Sequence, residues 1–324
     1  MPDLTKTLIT QEIAQTIITD FFGSKKTITF MDELKEGYFN AAYQIKLNDG
    51  FQCVLKIAPP PNLPILRYEK NIMQAEVETL RMVKANTNMP VPEVIFFIEN
   101  HPLLNSPFFC MDFIDGIPLH KFREKLDLKE QFEIDQSCGN YLKQMNRLQN
   151  NSFGCLAYPE SSHLPWASVF EKLLRNVLQD GQDAGVILPL SDSVFTEQIH
   201  QHSDALNHVK IPSLVHWDLW DGNIFIDPKT KQVNGIIDFE RALWADPLME
   251  VNFGAFGINH AFLKGYGKEF PFTPPEQERR TLYNIYLFLI MVIECTFRQY
   301  PNHDQENWAR MKLGEEIKKL NRQA

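Results

Sequence analysis

The chain is short of cysteine, and the five it has, Cys53, Cys110, Cys138, Cys155 and Cys295, lie far apart with no CxxC pair. An odd and scattered set excludes a disulfide framework and a thiolate zinc site, and fits reduced core residues of a cytoplasmic protein. Positive charge is also scarce. A formal net charge of -9 argues against a general binder of nucleic acid or anionic membrane, which needs a basic face. No apolar run reaches the roughly 20 residues of a membrane span; the longest, 285–293, ends at Glu294 and reads as a buried helix. The first 22 residues carry polar groups among Leu4, Leu8, Ile9, Ile13 and Ile17, the pattern of an amphipathic helix and not of a signal peptide. A glycine-rich loop is missing too, since Gly37 stands alone in segment 36–40.

What is present is a globular balance, 44% hydrophobic and 23% charged. At 324 residues the chain exceeds the usual size of one domain, so two lobes are expected. Strand-like alternation covers 27–30, 40–47 and 51–57, with a turn at Asn48-Asp49-Gly50. A helix is expected over 68–84, then strands over 94–98 and 108–113, which together make a five-stranded sheet with one helix. Turn composition at Asp115-Gly116 sets the boundary, giving an N-terminal lobe of residues 1–114 and a C-terminal lobe of 115–324. Beyond it the patterns are helical over 126–148, 166–184, 193–209, 275–299 and 305–321.

The most specific signal interrupts those helices. His216-Trp217-Asp218 is followed by Asn223, then by strand-like Ile224 to Ile226, a turn at Asp227-Pro228, and a second strand that ends at Ile237-Asp238-Phe239-Glu240. Phosphoryl transfer asks little covalent help of a protein; it needs reactants held in line and charge balanced among oxygens. This order of residues supplies those parts. Asp218 is placed to orient or deprotonate an acceptor hydroxyl, Asn223 and Asp238 to hold magnesium, and His216 to brace the loop. Lys56, among the apolar Val54, Leu55 and Ile57, either projects toward an anion or lies on the solvent face of an edge strand.

The run His216-x-Asp218-x4-Asn223, with Ile237-Asp238-Phe239-Glu240 and Ala245-Asp246-Pro247 after it, resembles the aminoglycoside phosphotransferase family of kinase-like enzymes, which includes choline kinases. The resemblance implies an α+β, two-lobed protein-kinase-like fold, with a five-stranded antiparallel sheet plus helix ahead of a mostly helical lobe. It implies transfer of the terminal phosphate of ATP or GTP, with Mg2+, to a small hydroxylated molecule, an aminoglycoside or a choline-like or sugar metabolite. On that resemblance Lys56 binds donor phosphates and Glu76 is its partner, with Glu69 the competitor; Gly37 lets the backbone approach the nucleotide. The base lies against the hinge at Met111 and Phe113, and Asp246 either steadies the catalytic loop or only initiates a turn. The family usually has glycine at position 217, where this chain has Trp217, a large ring expected beside the base, which bears on the shape of the acceptor pocket. Asp180, Asp183, Glu250, Glu294 and Trp166 are candidate acceptor contacts, and Arg298 a candidate partner for Glu294.

Overall fold

The computed structural model describes residues 6–35, 37, 39–157, 163–298, 300 and 302–322. Its first layer follows from alternation. In strand β3 (Gln52–Ile57) the odd positions Cys53, Leu55 and Ile57 pack under helix α1 (Gln11–Phe22), while Val54 and Lys56 face the other way. Thr10 caps α1 by accepting from the Ile13 N–H, and Ala14, Ile17 and Ile18 form its buried stripe. Strands β1 (Ile28–Glu33), β2 (Ala41–Leu47), β3, β4 (Val94–Ile98) and β5 (Phe108–Asp112) form an antiparallel sheet in the order β1-β2-β3-β5-β4. Lys56 therefore lies on the central strand, paired with Ala42 and Phe109, and the edge-strand alternative is excluded.

Helix α2 (Ile72–Asn86) covers the inner face. Its Met73, Val77, Leu80 and Val83 bury against Val54, Phe109 and Met111, at the i, i+3/i+4 spacing of one helical stripe. The same core cluster continues without a break into the helical region. The chain crosses over through β6 (Ile117–Pro118), α3 (Leu119–Phe122), α4 (Leu128–Met145) and the short β7 (Gly154–Cys155). Next come α5 (Trp166–Asp183), α6 (Asp192–Gln201), α7 (Ser203–Asn207), β8 (Ser213–Val215), β9 (Ile224–Ile226), β10 (Val233–Ile236) and β11 (Leu243–Ala245). Helices α8 (His260–Tyr266), α9 (Pro274–Arg298) and α10 (Asp304–Leu320) complete it.

Two small sheets, β10-β9-β6 and β7-β11-β8, carry the central motif between those helices. The single helix expected over 193–209 is broken at His202 into α6 and α7. Helix α9 is long and apolar enough to cross a membrane by length and composition, yet 78% of that window is buried inside the protein. Its apolarity comes from packing on all sides.

Candidate functional site

Two groups of side chains carry the site, a sheet wall and a loop wall. On the sheet wall, the Lys56 ammonium lies 2.7 Å from Glu76 Oε2 on α2, 2.8 Å from Asp238 Oδ1 and 3.4 Å from Glu240 Oε2. Three carboxylates face one ammonium. Burial opposes the Lys56 charge, but Asp238, Glu76 and Glu240 outweigh it and raise its pKa well above the ordinary value. Burial would raise Asp238 as well, yet Lys56 holds it below the usual carboxylate range. Glu76 and Glu240 are pushed up, by burial first and then by the like charge of Asp238. The Asp238 backbone is left-handed, with φ 69° and ψ 56°, which turns its carboxylate back to Lys56 after β10. Of the two candidate partners, Glu76 meets Lys56 and Glu69 pairs with Arg298.

On the loop wall, β8 delivers His216 into the loop. Its Nε2 donates to the Ile237 carbonyl at 3.1 Å and its Nδ1 accepts from the Asp218 N–H at 3.2 Å, which together require the neutral ring. Burial lowers its pKa and keeps it neutral. Asn223 Nδ2 donates to the Asp218 carbonyl at 2.9 Å and to Asp218 Oδ2 at 3.3 Å, so its side-chain oxygen is the atom that could hold a cation. The Ile237 N–H donates to the Asn223 carbonyl at 3.0 Å, tying the loop to the segment that ends in Asp238. Asp218 is pushed up to about 8, by burial and then by Asp238, Glu240 and Glu250, against the pull of Arg241.

Four predicted residues sit differently from expectation or gain a new role. The Trp217 ring is buried, stacked on Tyr286 at 5.2 Å and 9°. Its φ is 62°, a left-handed backbone that glycine adopts without strain and a residue with a large side chain does not. Asp246 does not touch the loop. It accepts from Arg279 Nε and the Tyr283 hydroxyl, both at 2.8 Å, and caps its own turn. Loop support comes from Glu250, which accepts from the Trp217 N–H at 2.8 Å and the Leu219 N–H at 3.1 Å. Among the described residues, a Cβ at Gly37 would meet only the Asn40 carbonyl oxygen, at 3.7 Å; Glu36 and Tyr38 lie outside the described residues. Met111 is buried on the inner face and Phe113 half-buried at the crossover.

Residues 32–274 match the phosphotransferase enzyme family. The chain belongs to that family. A probable ketoamine kinase of Vibrio parahaemolyticus is 24% identical over 291 residues, 87% of this chain and 90% of its own length. A crystal structure from Haemophilus somnus, described as a candidate fructosamine-3-kinase, superposes with a TM-score of 0.67 at 16% identity, covering 94% of this chain and 96% of that one. A thermostable mutant of an aminoglycoside phosphotransferase, in ternary complex with AMP-PNP and hygromycin B, gives 0.62 at 17% identity over 94% and 97%. Those likenesses establish the protein-kinase-like fold, and this phosphotransferase is a small-molecule kinase.

The cluster also contains residues of this phosphotransferase that spacing did not single out. Glu240 adds a third carboxylate to the cluster and accepts from Asn40 Nδ2 at 2.7 Å; Arg241 is bonded to Glu294 at 3.2 Å. Their only sequence signal was a charged pair directly after an apolar strand. Each of the five acceptor candidates has a bond within the protein, Asp183 at the exposed surface. Asp180 and Asp183 bind Arg67, Glu250 holds the loop, Glu294 pairs with Arg241 and not with Arg298, and Trp166 Nε1 donates to the Tyr283 hydroxyl at 2.7 Å.

Trp220 is an exposed aromatic within the loop itself. It is 45% exposed, two residues from Asp218, with the His120 ring stacked on it at 5.6 Å. Gly222 makes this possible, because a Cβ there would sit 2.1 Å from the indole. Arg123 fixes the neighbouring Asp221 and Asp135, each with a bond of 2.8 Å.

Proposed function

We propose that this enzyme transfers the terminal phosphate of ATP or GTP to a hydroxyl of a ketoamine, the adduct of a sugar with an amine. The observation that carries the phosphotransfer reading is the Lys56 ammonium held 2.7 Å from Glu76 and 2.8 Å from Asp238, across from the Asp218–Asn223 pair. Lys56 binds donor phosphates and Glu76 aims it. Gly37 lets the backbone approach those phosphates, and the base rests against the backbone from Met111 to Phe113. Residues 1–114 form the nucleotide lobe and 115–324 the acceptor lobe.

Asp218 accepts the proton of the attacking hydroxyl, and a carboxyl at about 8 suits a base working near neutral pH. Asn223 and Asp238 fit Mg2+. The fit rests on donor chemistry: Glu76, Asp238 and Glu240 place carboxylate oxygens within 4.8 Å of one another, leaving more negative charge than Lys56 balances. Bound there, the ion neutralises phosphate oxygens and fixes their line to the acceptor. His216 and Glu250 keep the loop in shape before either substrate arrives; Asp246 steadies the segment after it.

The ketoamine is favoured over an aminoglycoside by the relatives that span most of the chain, which are described as ketoamine kinases. Trp220 supports the same choice, because an open indole presents a flat apolar face to a sugar ring and a negative π-face to a protonated amine. Reduced cysteines fit a cytoplasmic enzyme. The test is phosphate transfer from ATP and from GTP, with Mg2+, to a panel of a fructosamine, choline, a free sugar and several aminoglycosides. Preferred transfer to the fructosamine is expected; preferred transfer to an aminoglycoside would overturn the acceptor, and transfer to none would overturn the reading itself.

A further inference from the structure

Just ahead of α2, three consecutive residues each reach a different part of the helical region. Arg67 bonds α5: its N–H donates to Asp180 Oδ2 at 3.0 Å, and its guanidinium pairs with Asp180 and, at 2.6 Å, with Asp183. Tyr68 meets the catalytic loop, its ring edge-on to Trp217 at 6.4 Å and beneath the Arg241 guanidinium at 5.9 Å. Glu69 pairs with Arg298 at the end of α9, both side chains almost wholly buried at 1% and 6% exposure. Its second oxygen accepts from the Leu66 N–H at 2.8 Å, closing the turn on itself. Asn71, left-handed at φ 56°, then starts α2. Glu76 lies four residues past Ile72 in the opening turns of α2, about 6 Å along a helix that is stiff over that distance.

We propose that Arg67, Tyr68 and Glu69 are positioning residues that fasten the start of α2 to α5, the catalytic loop and α9, and so hold Glu76 against Lys56. The proposal rests on the reading of Lys56 and Glu76 as the donor-phosphate pair. A turn anchored in three directions has no way to swing without breaking a buried contact, so the Lys56–Glu76 pair is assembled before nucleotide arrives and α2 does not act as a switch. The buried Glu69–Arg298 pair carries most of the restraint, because separating it leaves an uncompensated charge; the half-exposed Arg67 carries less.

The test is a double-mutant cycle read as the dissociation constant of a fluorescent ATP analogue with Mg2+, on the full chain, with melting temperatures confirming folding. Glu69→Gln should weaken nucleotide binding about five- to twentyfold and Glu76→Gln about tenfold or more, while the double variant binds no more weakly than Glu76→Gln alone, since both remove one contact. Arg67→Ala should cost about two- to fourfold and show the same coupling. If Glu69→Gln fails to fold, the Arg67→Ala and Glu76→Gln cycle is decisive. Losses that multiply independently, or wild-type binding in the anchor variants, would overturn the proposal. Because no acceptor is present, failure of the phosphotransfer reading registers separately, as wild-type enzyme that phosphorylates nothing on the panel.

Discussion

The two walls of the site are held together by different forces. Lys56, Glu76, Asp238, Glu240 and Asn40 come from four separated segments and meet through charge, with negative charge in excess. The catalytic loop is held mainly through backbone groups, by Glu250, His216 and Asn223. An unbalanced ionic cluster responds to a cation and phosphates, whereas a loop whose N–H groups are already satisfied is rigid beforehand. The sheet wall is thus built to receive charge, and the loop wall to keep one carboxylate in place.

Breaking the loop wall at its reacting group should have the largest effect. Asp218→Ala is expected to lower turnover about a thousandfold or more while nucleotide affinity stays within about twofold, as steady-state kinetics and nucleotide titration would measure. Lys56→Met attacks the sheet wall and should do the reverse, raising the Michaelis constant for nucleotide at least about tenfold, with a smaller fall in turnover. Glu250→Ala leaves the Trp217 and Leu219 N–H groups without their carboxylate and should cost roughly 2–4 kcal/mol in denaturant unfolding, with Glu250→Gln restoring part of it.

Trp217→Gly sharpens the comparison from within the loop. Glycine relieves a left-handed backbone strain of about 1 kcal/mol but gives up the stack on Tyr286, so a net loss of roughly 2–4 kcal/mol is expected. A stability gain on calorimetry would mean that the ring contributes little.

The smallest effect is one of pH. The folded value of Asp218, about 8, lies above the ordinary 3.8, so the folded protein holds that proton more tightly than the unfolded chain. The resulting stability is complete below pH 4 and is lost as pH rises through about 8. Asp218→Asn should accordingly match wild type in acid and exceed it at pH 9 by roughly 1–3 kcal/mol, measured by unfolding at each pH.

Local patterns were legible where local physics decides. Alternation located all five sheet strands, and helical spacing located α2, α4, α5, α9 and α10, with boundaries shifted by a few residues. The His216-to-Asp238 segment was legible because its chemistry depends on side chains a few positions apart. What escaped was contact between distant segments. Glu294 and Arg298 stand four apart on one helix, yet burial sends them to Arg241 and to Glu69, 53 and 229 positions away. The short strands β7, β8 and β11, two or three residues each, carry no periodicity to detect. The role of Glu250 depended on the loop curling over it, and nothing in its neighbours Met249 and Val251 signalled that.

The central claim is that Asp218, Asn223 and Asp238 converge on one acceptor hydroxyl and one cation. A crystal structure with Mg2+, AMP-PNP and the preferred acceptor tests it most directly. Asn223 and Asp238 oxygens are expected on the metal, Lys56 shifted from Asp238 to the phosphates, and the acceptor hydroxyl within hydrogen-bond reach of Asp218. A nucleotide bound with those side chains turned away from metal and acceptor would contradict it.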